Sequence, residues 1–238
     1  MNTKAIIFDK DGTLMSFDAF WVSLSVKTID EVLGQFCMSR DLLDVILEAF
    51  GVHDGITDIN GVLCKGTYRE MGEIVFDILA ERGCAAPRDD VVTAVEEAYS
   101  RNAHAGVVKS TCPDLVNVLA ELKGRGLRLA VVTTDNEPVT RHCLKGLGIL
   151  PYFDMIFTDD GHTPTKPDPF CAMELCRMYG LEREQVVMVG DTMTDVRFAK
   201  NAGITAISLA PTPEKKAWLA PHADIVIDAI SELTELLK

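Results

Sequence analysis

The chain has 238 residues, 47% of them hydrophobic and 25% charged, which suits one α/β domain or a core with a smaller inserted domain. Its formal net charge of −13 disfavours general nucleic-acid binding, because a negative surface repels the phosphate backbone. The N-terminus lacks the long apolar stretch of a signal peptide and no segment reaches transmembrane length, so we expect a cytoplasmic protein without membrane association.

Short apolar runs alternate along the chain with segments of helical periodicity. The first run, Lys4–Phe8, stops at an Asp-Lys-Asp-Gly turn and predicts a buried strand. Five further strands are predicted at Arg128–Val132, Met155–Phe157, Gln185–Val189, Thr205–Leu209 and Asp224–Ile227. Helices are predicted between and after them, at Pro113–Lys123, Phe170–Tyr179, Asp195–Ala202 and near Ile230–Leu237. This alternation predicts an α/β fold with a Rossmann-like parallel sheet that binds ligands at the carboxyl ends of its strands.

A long insertion separates the first strand from the second. Residues 16–108 are mainly helical by periodicity, with helices predicted at Phe20–Val32, Leu42–Phe50, Tyr68–Leu79 and Val91–Tyr99 and a loop-rich stretch at Gly51–Gly66. We therefore predict a catalytic core of residues 1–15 and 109–238, and a helical cap domain of residues 16–108 that determines substrate specificity. An extra-long crossover packed into a single core is the alternative.

Two carboxylates follow the first predicted strand, in the segment Asp9-Lys10-Asp11-Gly12-Thr13. Spaced two residues apart just past a strand end, Asp9 and Asp11 can both approach one cation, and Gly12 lets the backbone turn away sharply. A simple Asp-Gly turn is the structural alternative. An EF-hand calcium loop starting at Asp9 is excluded, because Leu14 and Phe20 stand where that loop needs glycine and glutamate.

Three more polar clusters follow later strands or precede helices. Thr133 and Thr134 end the second predicted strand, although they could also cap a helix. Lys166 stands before a proline-rich helix start, where it could neutralise a phosphoryl group. Asp191 and Asp195 follow another apolar strand. Together the four clusters supply carboxylates, a hydroxyl and a lysine to one edge of the sheet, which is a set suited to Mg²⁺ and phosphoryl chemistry.

The ordered motifs DKDGT, VVTT, KPDP and GDTMTD resemble those of the haloacid dehalogenase (HAD) superfamily, especially its phosphoglycolate-phosphatase-like members. The stretches GLGILPYFD and AKNAG are also similar to that family, so the resemblance covers the whole predicted core. It implies a Mg²⁺-dependent phosphatase that hydrolyses a small phosphomonoester, such as phosphoglycolate or a sugar phosphate, through an aspartyl-phosphate intermediate.

The resemblance also implies a role for each motif. Asp9 would be the nucleophile and Asp11 the general acid and base, while Thr133 and Lys166 would hold phosphoryl oxygens. Gly12 and Thr134 would contact the substrate. The metal would be held by Asp9, the backbone carbonyl of Asp11, and Asp191, with Asp195 orienting the site.

Two positions depart from the family pattern. Position 10 is usually apolar in close relatives, and Lys10 here is expected to form a nearby salt bridge, with substrate contact as the alternative. Thr134 stands where phosphoglycolate-type members often have asparagine, which leaves the exact substrate open.

Several functions are compatible with these residues. A phosphomutase of the same fold is the main alternative, and a non-catalytic binding protein is a weaker one because all the catalytic groups are present. Within the cap, His53 and Lys65 are candidate substrate contacts, although an exposed loop histidine is an equally good interpretation of His53. We expect a small phosphorylated metabolite as the partner and a monomer or homodimer as the assembly.

Overall fold

The structure is a computed structural model that describes residues 2–238. The strands in chain order are β1 (Ala5–Phe8), β2 (Val52–His53), β3 (Ile56–Thr57), β4 (Arg128–Val132), β5 (Met155–Phe157), β6 (Val186–Gly190), β7 (Thr205–Leu209) and β8 (Ile225–Ile227). The helices are α1 (Phe17–Gln35), α2 (Leu42–Ala49), α3 (Val62–Lys65), α4 (Tyr68–Glu81), α5 (Arg88–Asn102), α6 (Leu115–Gly124), α7 (Glu137–Gly146), α8 (Phe170–Tyr179), α9 (Met193–Ala202), α10 (Pro213–Leu219) and α11 (Leu233–Leu236). They divide into two compact units: the residues up to Ser16 with Val108–Lys238, and Phe17–Val107.

A six-stranded parallel sheet in the order β5-β4-β1-β6-β7-β8 forms the centre of the first unit. The predicted α/β fold with a parallel sheet is therefore confirmed. β1 lies between β4 and β6, and Phe8 at its end is in register with Val131 and Val189. The residues that follow these three strands consequently emerge side by side at one edge of the sheet.

Both faces of the sheet are buried, which explains the continuous apolar strands. All four residues of β1 are fully buried, with Ile6 and Phe8 in the hydrophobic cluster on one face and Ala5 and Ile7 in the cluster on the other. Burial of each isoleucine or phenylalanine stabilises the fold by about 1.5–3 kcal/mol. The strand that ends at the two motif aspartates is thus held firmly by packing on both faces.

Some elements of the first unit differ from their predictions. α10 had not been predicted, and α7 only as the helix that Thr133 and Thr134 could cap. The side chains that cap these helices are those of Asn136 and Thr212, and each helix has a proline in its first turn. The predicted C-terminal helix is interrupted: Ile230–Glu232 forms a 3₁₀ turn, and only Leu233–Leu236 is α-helical.

The second unit is mainly helical, with α5 packed against both α1 and α4. Tyr99 is fully buried in it, donates a hydrogen bond to Ser25 Oγ at 2.8 Å and stacks on Tyr68 at 4.7 Å between ring centroids. The stretch predicted as loop-rich contains α3 and the β2–β3 hairpin. Asp54 and Gly55 both have positive φ at the tip of this hairpin, as a two-residue type I′ turn requires.

Among the residues that the structure describes, none of the helices combines the length and the hydrophobicity needed to cross a lipid bilayer.

Candidate active site

Polar side chains follow the three adjacent central strands of the sheet. Asp9 comes directly after β1, Thr133 after β4 and Asp191 after β6. The backbone N–H of Asp9 donates to Val189 O at 2.9 Å, and that of Thr133 donates to Phe157 O at 3.1 Å. Sheet-type hydrogen bonds therefore continue past the ends of β1 and β4 and fix the backbone from which the Asp9 and Thr133 side chains project.

Three buried carboxylates form a cluster at this edge. Asp9, Asp191 and Asp195 each offer one oxygen, and these oxygens lie within 4.8 Å of one another. Burial raises the pKa of Asp9 to about 8, an effect that Lys166 opposes and that the two neighbouring carboxylates increase. Burial likewise raises the pKa of Asp191, against the effect of Lys215. The three carboxylates therefore favour the binding of a proton or a cation.

Lys166 bridges two members of this carboxylate cluster. Its Nζ donates to Asp9 Oδ1 at 2.5 Å and to Asp195 Oδ1 at 2.7 Å, and its side chain is 4% exposed. Burial alone would lower its pKa, but the two carboxylates outweigh burial and raise it. Lys166 therefore stays charged and fixes the orientation of the Asp9 carboxylate.

Asp195 is fixed by the start of α9. Its Oδ2 accepts hydrogen bonds from the backbone N–H groups of Asp191 and Thr192 at 3.2 and 3.1 Å, and from Thr192 Oγ1 at 2.7 Å. A Cβ at Gly190 would lie 2.3 Å from Asp195 Cβ, so this close approach requires glycine. One carboxylate therefore caps the helix with Oδ2 and binds Lys166 with Oδ1.

Asp191 has two partners that sequence reasoning did not assign to the site. Thr13 Oγ1 donates to its Oδ1 at 3.0 Å, and Lys215 Nζ donates to its Oδ2 at 2.5 Å. Lys215 is on α10, whose N-cap Thr212 and following Pro213 are a helix-start signal just after β7. That signal indicates a helix that begins near the same sheet edge, but it does not single out Lys215.

A second ionic group surrounds Lys10, which is fully buried. Its Nζ lies 2.5 Å from Asp11 Oδ2 and 3.2 Å from Asp135 Oδ2. Lys10 therefore makes the nearby salt bridge that the sequence favoured. Asp11 belongs to this group and not to the three-carboxylate cluster. Asp135, three residues beyond β4, was not predicted as a site residue.

The remaining core candidates lie at the same edge. Thr133 is buried, and its Oγ1 accepts a hydrogen bond from the backbone N–H of Asp135 at 3.2 Å. Thr134 is exposed. Gly12 has a φ of 79° and packs directly against the Asp191 carboxylate.

The two candidates from the insertion belong to the second unit. His53 is exposed on β2. Lys65 is exposed at the end of α3 and donates a hydrogen bond to Asn60 Oδ1 at 2.6 Å. Their role in substrate binding stays a prediction.

The charges at the sheet edge do not balance. The ion pairs join three ammonium groups to five carboxylates, which leaves two negative charges when all are ionised. The carboxylates are those of Asp9, Asp11, Asp135, Asp191 and Asp195. A divalent cation would balance them, and the oxygen-only donors of the three-carboxylate cluster suit a hard ion such as Mg²⁺.

Similarity to known proteins extends over the whole chain. The model of the haloacid dehalogenase-like hydrolase family matches residues 3–203. The phosphoglycolate phosphatase of Neisseria meningitidis is 34% identical over 242 residues, which cover 100% of this chain and 94% of that protein. The phosphoglycolate phosphatase of Rhodospirillum rubrum is 30% identical over 240 residues, which cover 98% of this chain and 90% of that protein.

Solved structures share the fold at lower identity. A HAD-superfamily hydrolase of subfamily IA from Geobacter sulfurreducens superposes with a TM-score of 0.70 at 18% identity, covering 100% of this chain and 97% of that one. A candidate β-phosphoglucomutase from Thermotoga maritima also gives a TM-score of 0.70, at 22% identity, covering 99% and 98%.

Proposed function

The chain belongs to the haloacid dehalogenase-like hydrolase family and is an enzyme of the phosphatase type, and from this premise we propose that it hydrolyses a small phosphomonoester through a phosphorylated Asp9. The observation that carries the proposal is the ion pair between Asp9 and Lys166 within the buried carboxylate cluster. It joins a potential nucleophile to a fixed positive charge that can attract a phosphoryl group.

The first half of the reaction forms a bond between an oxygen of Asp9 and phosphorus and breaks the bond between phosphorus and the leaving alcohol oxygen. Asp11 donates a proton to that oxygen. Lys166 remains next to Asp9 Oδ1 and stabilises the negative charge of the phosphoryl oxygens, and Thr133 Oγ1 is the further donor proposed for them. The backbone N–H of Gly12 is engaged by Met15 O at 2.7 Å, so Gly12 is proposed to contact the substrate only through its position in the turn.

In the second half, water attacks the phosphorus of the aspartyl-phosphate. Asp11, now ionised, takes a proton from the water, the bond between Asp9 and phosphorus breaks, and inorganic phosphate leaves. Asp9 and Asp11 thus return to their starting protonation states.

Mg²⁺ is the proposed cofactor. Asp9, Asp191 and the backbone carbonyl of Asp11 would hold it, and Asp195 would orient the site through Lys166. When bound, the ion would neutralise part of the negative charge of the phosphoryl oxygens and of the carboxylates around them.

Phosphoglycolate, or a sugar phosphate of similar size, is the proposed class of substrate. The relatives from Neisseria meningitidis and Rhodospirillum rubrum are named phosphoglycolate phosphatases. Thr134, His53 and Lys65 are the proposed substrate contacts outside the phosphoryl site. The second unit, residues 17–107, is proposed to set specificity.

A screen of phosphomonoesters, with Mg²⁺ and with EDTA, tests the proposal. We expect release of inorganic phosphate only with metal, and phosphorylated Asp9 in acid-quenched enzyme analysed by mass spectrometry. Asp9→Asn should abolish both, and Asp114→Asn, at an exposed position before α6, should change neither. No phosphate release from any ester would refute the proposal, and conversion of one sugar phosphate into another without free phosphate would indicate a phosphomutase.

A further inference from the structure

The β2–β3 hairpin of the second unit is tied to the beginning of α1. Asp18, in the first turn of α1, accepts two hydrogen bonds at its Oδ1, from the backbone N–H of Thr57 at 3.0 Å and from Thr57 Oγ1 at 2.7 Å. Thr57 is the last residue of β3, and both side chains belong to half-buried residues. A single carboxylate oxygen therefore joins two segments that are 39 residues apart in the chain.

The hairpin needs such a connection because it is very short. Each of its strands has only two residues, and an isolated two-stranded hairpin is at best marginally stable in water. A carboxylate in the first turn of a helix stabilises that helix through the helix dipole, but this effect does not require a bond to β3. Hydrogen bonds to a carboxylate are stronger than those between neutral groups, so Asp18 is a suitable anchor for the hairpin.

The segment around the hairpin is closed by its own backbone. The N–H of Asp58 donates to Gly51 O at 2.7 Å, and the N–H of Leu63 donates to Phe50 O at 3.1 Å. A Cβ at Gly51 would lie 2.8 Å from Gly61 Cα, so the two ends of the segment pack tightly against each other. A displacement of β3 therefore displaces the neighbouring backbone as well.

Two exposed side chains of different character lie next to each other on the hairpin. His53 on β2 is paired with Ile56 on β3, so their side chains are on the same face of the hairpin. Ile56 is 65% exposed, and His53 is also exposed. An imidazole beside an aliphatic side chain suits the non-phosphoryl part of a substrate, which presents both polar groups and carbon atoms.

We propose that Asp18 is a positioning residue for substrate specificity, because its hydrogen bonds with Thr57 fix the direction in which the hairpin presents His53 and Ile56. Ile56 thereby joins His53 as a contact for the variable part of the substrate. This inference rests on the proposed function, in which the second unit sets specificity. Asp18 itself is not assigned a contact with the substrate.

A loss of specificity differs from a general loss of activity. We compare kcat/KM for the best phosphomonoester of the screen with kcat/KM for the poorest one that the wild type still hydrolyses measurably. A general structural defect lowers both constants and leaves their ratio unchanged, whereas misdirected specificity contacts lower mainly the first constant, through KM. Amide hydrogen exchange of residues 51–66 measures the anchoring itself and needs no substrate.

Asp18→Ala removes the acceptor. We expect faster exchange in residues 51–66 and a fall in the ratio of the two constants by about tenfold or more. Asp18→Asn keeps an oxygen acceptor at the same place and should retain the ratio to within about threefold. Thr57→Val loses the hydroxyl but keeps the backbone N–H, so it should lower the ratio less than Asp18→Ala does. Ile56→Ala should lower the ratio without faster exchange, because it leaves the anchor intact.

Asp30→Ala is the matched control, because Asp30 is on the same helix and pairs with Arg40 at 2.8 Å, outside the hairpin. It should change neither the exchange of residues 51–66 nor the ratio. Thermal unfolding of every variant identifies those that fold, and Thr57→Val and Ile56→Ala test the inference if Asp18→Ala does not fold.

An unchanged ratio in a folded Asp18→Ala variant overturns the specificity role, and unchanged exchange of residues 51–66 overturns the anchor. Failure of the wild type to release phosphate from any ester would instead refute the proposed function, and the exchange measurements would still report whether Asp18 anchors the hairpin.

Discussion

Gly12 and Asp191 approach each other so closely that a Cβ on Gly12 would lie 2.3 Å from Asp191 Oδ2. Gly12 also has a φ of 79°, in the left-handed region that L side chains rarely adopt. The turn after β1 and the carboxylate after β6 therefore depend on each other, and only glycine satisfies both requirements.

Gly12→Ala should consequently displace Asp191 as well as strain the turn. We expect activity to fall at least about a hundredfold, while the free energy of unfolding falls by only about 1–2 kcal/mol. Gly126→Ala is the control, because Gly126 also has a positive φ, of 83°, but nothing lies within 4 Å of its added Cβ. If both variants lost activity equally, backbone strain and not the contact with Asp191 would be the cause.

Asp9→Asn should abolish turnover and change the pH dependence of stability in EDTA. The folded protein raises the pKa of Asp9 to about 8, mainly through burial, so between about pH 4 and 8 the folded state binds more protons than the unfolded state. This contribution to stability is therefore present at low pH and is lost as the pH rises. Denaturant unfolding from pH 5 to 8 should show a smaller decline for Asp9→Asn than for the wild type. Parallel declines would contradict this assignment.

Mg²⁺ should raise the melting temperature, because the ion binds the folded carboxylate cluster and not the unfolded chain. Asp191→Ala should greatly reduce both this increase and the rate of hydrolysis. Asp228→Ala provides the comparison, since Asp228 is an exposed aspartate that also pairs with a lysine of α10. Full activity after exhaustive EDTA treatment, with no metal found by elemental analysis, would exclude metal dependence.

Lys215 should compete with the metal, because its ammonium group occupies Asp191 Oδ2 at 2.5 Å. We expect Lys215→Met to bind Mg²⁺ more tightly in titration calorimetry, by a factor of about ten, and to melt at a lower temperature in EDTA. Lys216→Met removes the neighbouring lysine, which pairs with Asp228, and should change neither quantity substantially. Weaker metal binding by Lys215→Met would mean that the ammonium group of Lys215 favours metal binding and does not compete with it.

Substitution of the candidate contacts in the second unit should alter substrate preference. His53→Ala and Lys65→Ala are expected to change the ranking of phosphomonoesters by kcat/KM, because exposed polar side chains in an insertion are suited to contact the variable part of a substrate. Arg69→Ala, at an exposed position on α4, serves as the comparison. An unchanged ranking in both variants would place specificity elsewhere.

The sheet was predictable because its strands are short continuous apolar runs, and three of the six, β4, β5 and β7, have the predicted bounds. α10 was not predicted, since it has seven residues and only Leu219 among them is buried. The β2–β3 hairpin was not predicted either, because each of its strands has only two residues. Periodicity needs longer segments than these.

Candidate site residues were predictable where they follow strands, as Asp9, Thr133 and Asp191 do. Lys215 was not predictable in the same way, because a lysine on a short helix is usually solvated and only its contact with Asp191 distinguishes it. The ion pair between Asp135 and Lys10 was not predictable either, because these residues lie in loops that follow different strands. The sequence alone does not show which loops contact each other.

The position of β1 in the middle of the sheet also determines when the protein can acquire activity during its synthesis. β1 is the first strand to be made, but its two neighbours, β4 and β6, come only after the second unit. Residues 17–107 are continuous in sequence and can fold early. During that time both edges of β1 remain unpaired, because β4 and β6 have not yet been made. A nascent chain that has not yet reached Val186 lacks one neighbour of the strand that carries Asp9. We therefore expect no activity from a nascent chain until β6 has been synthesised.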